Sequence, residues 1–114
     1  AQAILASDET IQKNPQLIQK LVRATLKGMK DIMADPKAAT AVYVAHVPAH
    51  KGKEASILKA FEMYNQYVYA KQKVPGQMDE TRLGELQKFY VDNGVVPKAA
   101  PLKDLYTNQF VSGK

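Results

Sequence analysis

Asn14-Pro15 and Asp35-Pro36 are the same two-residue device used twice, and it limits sharply what the residues between them can become. Asn and Asp accept hydrogen bonds from the free amides at a helix start, while proline at the first helical position lacks the N–H that would otherwise be orphaned. Inside a helix a proline would remove a hydrogen bond and clash with the preceding turn, so each pair closes one element and opens the next. Between them Ile18, Leu21, Val22, Thr25, Met29, Ile32 and Met33 recur at spacings of three and four, which predicts an amphipathic helix running to about Ala34. Gln19, Lys20, Arg23, Lys27 and Lys30 fall on its opposite side.

The rest of the chain follows the same logic. Ala3 to Ala6 reads as a short buried strand, and Ser7-Asp8-Glu9 as the capped start of a short helix. After Asp35-Pro36 the stretch Ala38 to Ala45 carries no charge, the pattern of a helix surrounded by protein on most sides, and Pro48 ends it. A polar bend at His50 to Lys53 precedes a third helix with Ile57, Phe61, Tyr64 and Val68 on one face and Leu58 beside them. Pro75-Gly76 breaks the chain. Asp79 caps a fourth helix whose apolar side is Leu83, Leu86, Phe89 and Tyr90, closed by Asn93-Gly94. Pro97 and Pro101 make an extended connection, and Asp104 to Val111 is expected to form a last helical turn anchored by Leu105, Tyr106 and Phe110.

Four main helices with one strand candidate predict an all-α fold for the chain in isolation, a single helical segment over residues 1–114. A lone strand leaves its ladder groups without partners. Ala3 to Ala6 is therefore expected either to pair with a second copy, giving a strand-mediated homo-oligomer, or to lie as an irregular arm. Gly28, inside a helical pattern where glycine costs about 1 kcal/mol relative to alanine, is expected to admit a closely packed neighbouring helix.

Composition excludes several functions. The longest near-continuous apolar run, Ala38 to Val47, falls well short of the roughly 20 residues that cross a bilayer. With no cysteine there is no disulfide framework, thiolate zinc site or Cys nucleophile. A formal net charge of +5 is a mild excess of 16 basic over 11 acidic residues. There is no GxSxG, Walker loop or dinucleotide fingerprint, and no motif places an acid/base pair. His46 and His50 have the spacing of two zinc ligands on a helix, but Pro48 stands between them and no HExxH glutamate accompanies them. Lys20, Arg23, Lys27 and Lys30 form a basic stripe that reads as a solvated face or as a contact for phosphates or an acidic partner. Tyr64, Tyr67 and Tyr69 are sent to different sides of one helix, which favours core and rim packing over ligand stacking.

In order and spacing, six strings resemble one family. They are Ala6-Ser7-Asp8-Glu9 with Lys13-Asn14-Pro15-Gln16-Leu17, then Ala24-Thr25-Leu26-Lys27-Gly28, Asp35-Pro36-Lys37-Ala38-Ala39, Gly76-Gln77-Met78-Asp79, and Asp104-Leu105-Tyr106-Thr107-Asn108-Gln109-Phe110. Together they look like the solute-binding proteins of nitrate, sulfonate, taurine and thiamine-precursor importers, the NMT1-like or SsuA-like group. The resemblance spans nearly the whole chain and thins from Lys51 to Val74. It implies the C-terminal, helical third of a two-lobed α/β protein of the periplasmic-binding-protein type II fold, in which solute binds between the lobes. Its partners would be a small-molecule solute and an ABC permease, with no nucleic acid and no membrane insertion. The location would be periplasmic or extracytoplasmic, through an export signal upstream of Ala1.

The quoted strings are packing and capping features, so no catalytic, cofactor-binding or metal position transfers. Ligand contacts are expected mostly upstream of Ala1. Fungal thiamine-pyrimidine synthases are similar over the same fold and are enzymes. Their cysteine-rich signature has no counterpart here but would fall upstream of Ala1, so its absence does not exclude them. A non-enzymatic transport component is the expectation. The alternative is an autonomous helical module that binds nucleic acid or an acidic protein through the basic stripe.

Overall fold

A computed structural model describes residues 3–111 of the chain. Among them are five α-helices: α1 (Asp8–Lys13), α2 (Pro15–Ala34), α3 (Pro36–His46), α4 (Glu54–Tyr67) and α5 (Glu80–Asp92). Three 3-10 turns, Pro48–His50, Tyr69–Lys71 and Leu102–Asp104, connect them or follow them. No strand occurs among the described residues, and the all-α expectation holds.

The helix starts are where the cap residues put them. The Ser7 hydroxyl accepts from the Thr10 amide at 3.2 Å, Asn14 Oδ1 from Leu17 at 3.2 Å, Asp35 Oδ1 from Ala38 at 2.9 Å and Asp79 Oδ1 from Arg82 at 3.1 Å. Asn14 and Asp35 are each the C-cap of one helix and the N-cap of the next, which is what a cap followed by proline imposes. α4 has no side-chain cap. Glu54 compensates from inside its first turn by accepting the Gly52 amide at 3.1 Å.

α2, α3 and α4 pack on one another as the central unit, with α1 laid against α2. Tyr43 of α3 meets Phe61 of α4 edge to face at 5.8 Å between ring centroids, and the Asn65 amide of α4 donates to the Ile32 carbonyl of α2 at 2.9 Å. α5 stands apart. Its partner is the segment that follows it, where Leu102 lies beside Gly84 and the Gln87 side chain pairs with both backbone groups of Ala100, accepting its N–H at 2.8 Å and donating to its C=O at 3.0 Å.

Two further amide side chains fasten the last described residues. Asn108 accepts the Met78 N–H at 2.8 Å and donates to its C=O at 3.0 Å, and Gln19 of α2 donates to the Phe110 carbonyl at 3.1 Å. Phe110 thereby completes a small core with Ile18 and Val22, and Ile11, Leu26 and Val111 border it. The expected final helical turn falls earlier, at Leu102–Asp104, and Phe110 reaches the core from a non-helical turn. An amide side chain that satisfies backbone groups removes the need for a regular element there.

The core is small for the chain. The accessible surface is 8988 Å² for a mass of 12.6 kDa, whereas a self-contained monomer of that mass exposes about 6200 Å². The radius of gyration is 16.7 Å, against about 13 Å for a compact domain of this length.

Candidate functional site

Part of the exposed surface is apolar and falls in stripes. On α2, Leu17, Leu21, Ala24 and Gly28 lie on one exposed line at spacings of four, three and four, clear of the buried Ile18 and Val22. On α3, only one side is covered: Thr40 is buried and bonds back to the Pro36 carbonyl at 2.7 Å, but Ala38, Ala41, Val42 and Ala45 face outward. This corrects the expectation of a helix enclosed on most sides. The missing charges mark a stripe that nothing in the described chain covers.

α5 repeats the pattern. Leu83, Gly84, Gln87 and Val91 are half-buried, with Gly84 and Gln87 against the following segment, while Leu86, Phe89 and Tyr90 of the predicted apolar side are exposed. Ala3 to Ala6, expected as a strand or an arm, is an irregular arm with Leu5 91% exposed. It has no neighbouring strand to pair with among the described residues, so the extended backbone gains nothing from strand geometry.

Gly28 also departs from expectation. A Cβ built there would meet nothing within 4 Å, so no helix of the described chain packs closely on it. By contrast Gly76, at the Pro75-Gly76 turn with φ +83°, has its open side filled by Leu26.

The residues with chemistry do not converge. The imidazole of His46 bonds to the carbonyl of Val42, one turn back on its own helix, at 2.8 Å. His50 stacks on Tyr43 and shares a 2.9 Å hydrogen bond between Nδ1 and the phenol. The two side chains thus turn to different partners, and no group of three or more potential ligands is found among the described residues. Tyr64 and Tyr69 stack at 5.7 Å, because Tyr69 lies beyond the helix end in a 3-10 turn that folds it back, while Tyr67 points elsewhere with the Lys71 ammonium over its ring. Partial burial, followed by the neighbouring Tyr64, raises the Tyr69 hydroxyl above the ordinary tyrosine range. Hydrogen bonds from its own amide and from Gly52, with Lys51 nearby, lower the Glu54 carboxyl. Both effects serve packing and capping.

The basic stripe keeps its solvent face. Lys20, Arg23, Lys27 and Lys30 are exposed, and Lys27 forms an i,i+4 pair with Asp31 at 2.8 Å. Gln19, read as part of the same polar side, is instead half-buried and tied to Phe110. Between this flank and the last described residues runs an open groove of about 470 Å³. No helix of the described residues is long and apolar enough to cross a membrane.

Comparison with known proteins bears on what would cover the bare stripes. Residues 1–39 match the NMT1/THI5-like family. Across 99% of its length the chain is also similar, at 26% identity, to the riboflavin-binding protein RibY of Chloroflexus aurantiacus (strain ATCC 29366 / DSM 635 / J-10-fl). It spans only 33% of that relative. No solved structure matches. These likenesses support an NMT1-like solute-binding fragment, as the motif order in the sequence implies. The name of the relative is that of a binding protein.

Proposed function

We propose that this chain is the helical scaffold portion of an extracytoplasmic solute-binding protein that hands a small molecule to an ABC importer. The observation that carries the reading is the pairing of a family match with a surplus of surface. A chain that resembles a third of a solute-binding protein exposes about 2800 Å² more than a self-contained domain would. The bare stripes on α2, α3 and α5 are suited to lie against the α/β lobe that such a protein supplies. Solute contacts then belong to the cleft outside this segment, in keeping with the scattered chemistry of its histidines, tyrosines and lysines. The solute is of the nitrate, sulfonate, taurine or thiamine-precursor class, to which the name of the RibY relative adds riboflavin.

Riboflavin fluorescence provides the test, using this chain alone and a chimera in which it replaces the matched third of RibY. The isolated chain should leave the fluorescence unchanged, and the chimera should change it to the same extent as RibY measured alongside. Tight binding by the isolated chain would overturn the assignment of the solute contacts to the rest of the protein. A folded chimera that no longer binds would overturn the scaffold role.

A further inference from the structure

The groove between α2 and the end of the described chain is built for a partner of particular chemistry. Its floor is apolar: Phe110 is buried, and Leu26 and Val111 are half-buried. Its rim is cationic, formed by Arg23, Lys27 and Lys30 of α2. Neither Arg23 nor Lys30 has an acidic side chain within ion-pair distance among the described residues, and Lys27 reaches only Asp31 on its own helix. At one end Gln19 holds the Phe110 carbonyl at 3.1 Å, so floor and rim are fixed to each other.

The layout selects among anions. The three cations all come from one helix rather than from several elements gathered around a point. They follow one another at four and three residues along the helix, a row about 10 Å long at 1.5 Å per residue. A second helix laid alongside presents carboxylates at the same repeat, with apolar residues between them directed at the floor. A flat lipid surface does not reach a recessed floor, and a nucleic-acid backbone has no use for an apolar one. We propose that this groove docks an acidic amphipathic helix of a partner protein, with one or two apolar side chains seated on Leu26, Phe110 and Val111 and carboxylates paired to Arg23, Lys27 and Lys30. The surface is distinct from the exposed stripes of α2, α3 and α5, and the proposal does not depend on solute binding.

A fluorescently labelled acidic amphipathic peptide, helical and about four turns long, tests this by anisotropy with the 114-residue chain. Saturable binding is expected, weakening roughly tenfold between about 50 and about 300 mM salt. The triple substitution Arg23→Gln, Lys27→Gln, Lys30→Gln should weaken it at least about tenfold with the far-UV circular dichroism unchanged, since all three side chains are exposed. A second peptide, with the acids kept and the apolar residues replaced by serine, should bind at least about tenfold more weakly. Equal binding of the two peptides would overturn the proposal by reducing the groove to non-specific charge attraction. So would failure of the acidic amphipathic peptide to bind, indifference to the triple substitution, or tighter binding of a short DNA duplex or of phosphatidylglycerol vesicles.

Discussion

Four amide side chains do work that regular structure does elsewhere in the molecule. Gln19, Asn65, Gln87 and Asn108 each bond a backbone group on another segment, and Gln87 and Asn108 each satisfy both polar groups of one residue. Because the Gln87–Ala100 pair is half-buried, removing one partner leaves the other only partly able to recover its hydrogen bonds from water. Gln87→Ala should therefore lower unfolding free energy by about 1–2 kcal/mol, read as a reduced urea midpoint with the slope unchanged. A midpoint equal to that of the parent chain would mean that the segment after α5 is held by its apolar contacts alone. Only Asn108 lies in one of the strings that carry the family resemblance, and no string assigns any of the four its partner. They are legible only once the segments they join are adjacent.

The helices show why periodicity located elements more reliably than it located their surroundings. α2 begins and ends at its two cap-proline pairs, and Ile18 and Val22 are buried as their spacing predicts, yet Leu21 of the same series is exposed. Spacing assigns a residue to a side of a helix, and the neighbours decide whether that side is covered. Gly28 illustrates this at one position, since its open side carries no neighbour within 4 Å. With no steric conflict, the main consequence of a methyl group is to reduce the backbone entropy lost on folding. Gly28→Ala should stabilise the isolated chain by about 0.5–1 kcal/mol, seen as a higher Tm. A lower Tm would show that something packs on this position after all.

Surface area governs behaviour at the scale of the whole molecule. A chain with Leu17, Leu21, Val42, Phe89 and Tyr90 exposed leaves extended apolar stripes in water, and burying such area is favourable by about 25 cal/mol per Å². In the absence of a covering lobe the isolated chain should self-associate as its concentration rises. Leu21→Glu and Phe89→Glu together should shift sedimentation toward the monomer without loss of helical signal, because neither side chain is part of the core. A parent chain that stays monomeric at all concentrations would argue that the stripes are too dispersed to bind one another. The docking groove is a separate matter, since its floor is recessed and its rim charged.

By itself the sequence determined the helices, their caps, the all-α class and the resemblance to solute-binding proteins, because each rests on contacts between residues a few positions apart. Only the tertiary structure decided that the uncharged stretch of α3 is half bare, that Gly28 has no neighbour, that Ala3 to Ala6 lies as an arm, and that Phe110 joins α2 to floor a basic-rimmed groove. Those outcomes depend on which faces meet across long separations. Exposure is a property of what lies opposite a residue, and a run of apolar side chains reads the same whether its partner is present in the chain or supplied from outside it.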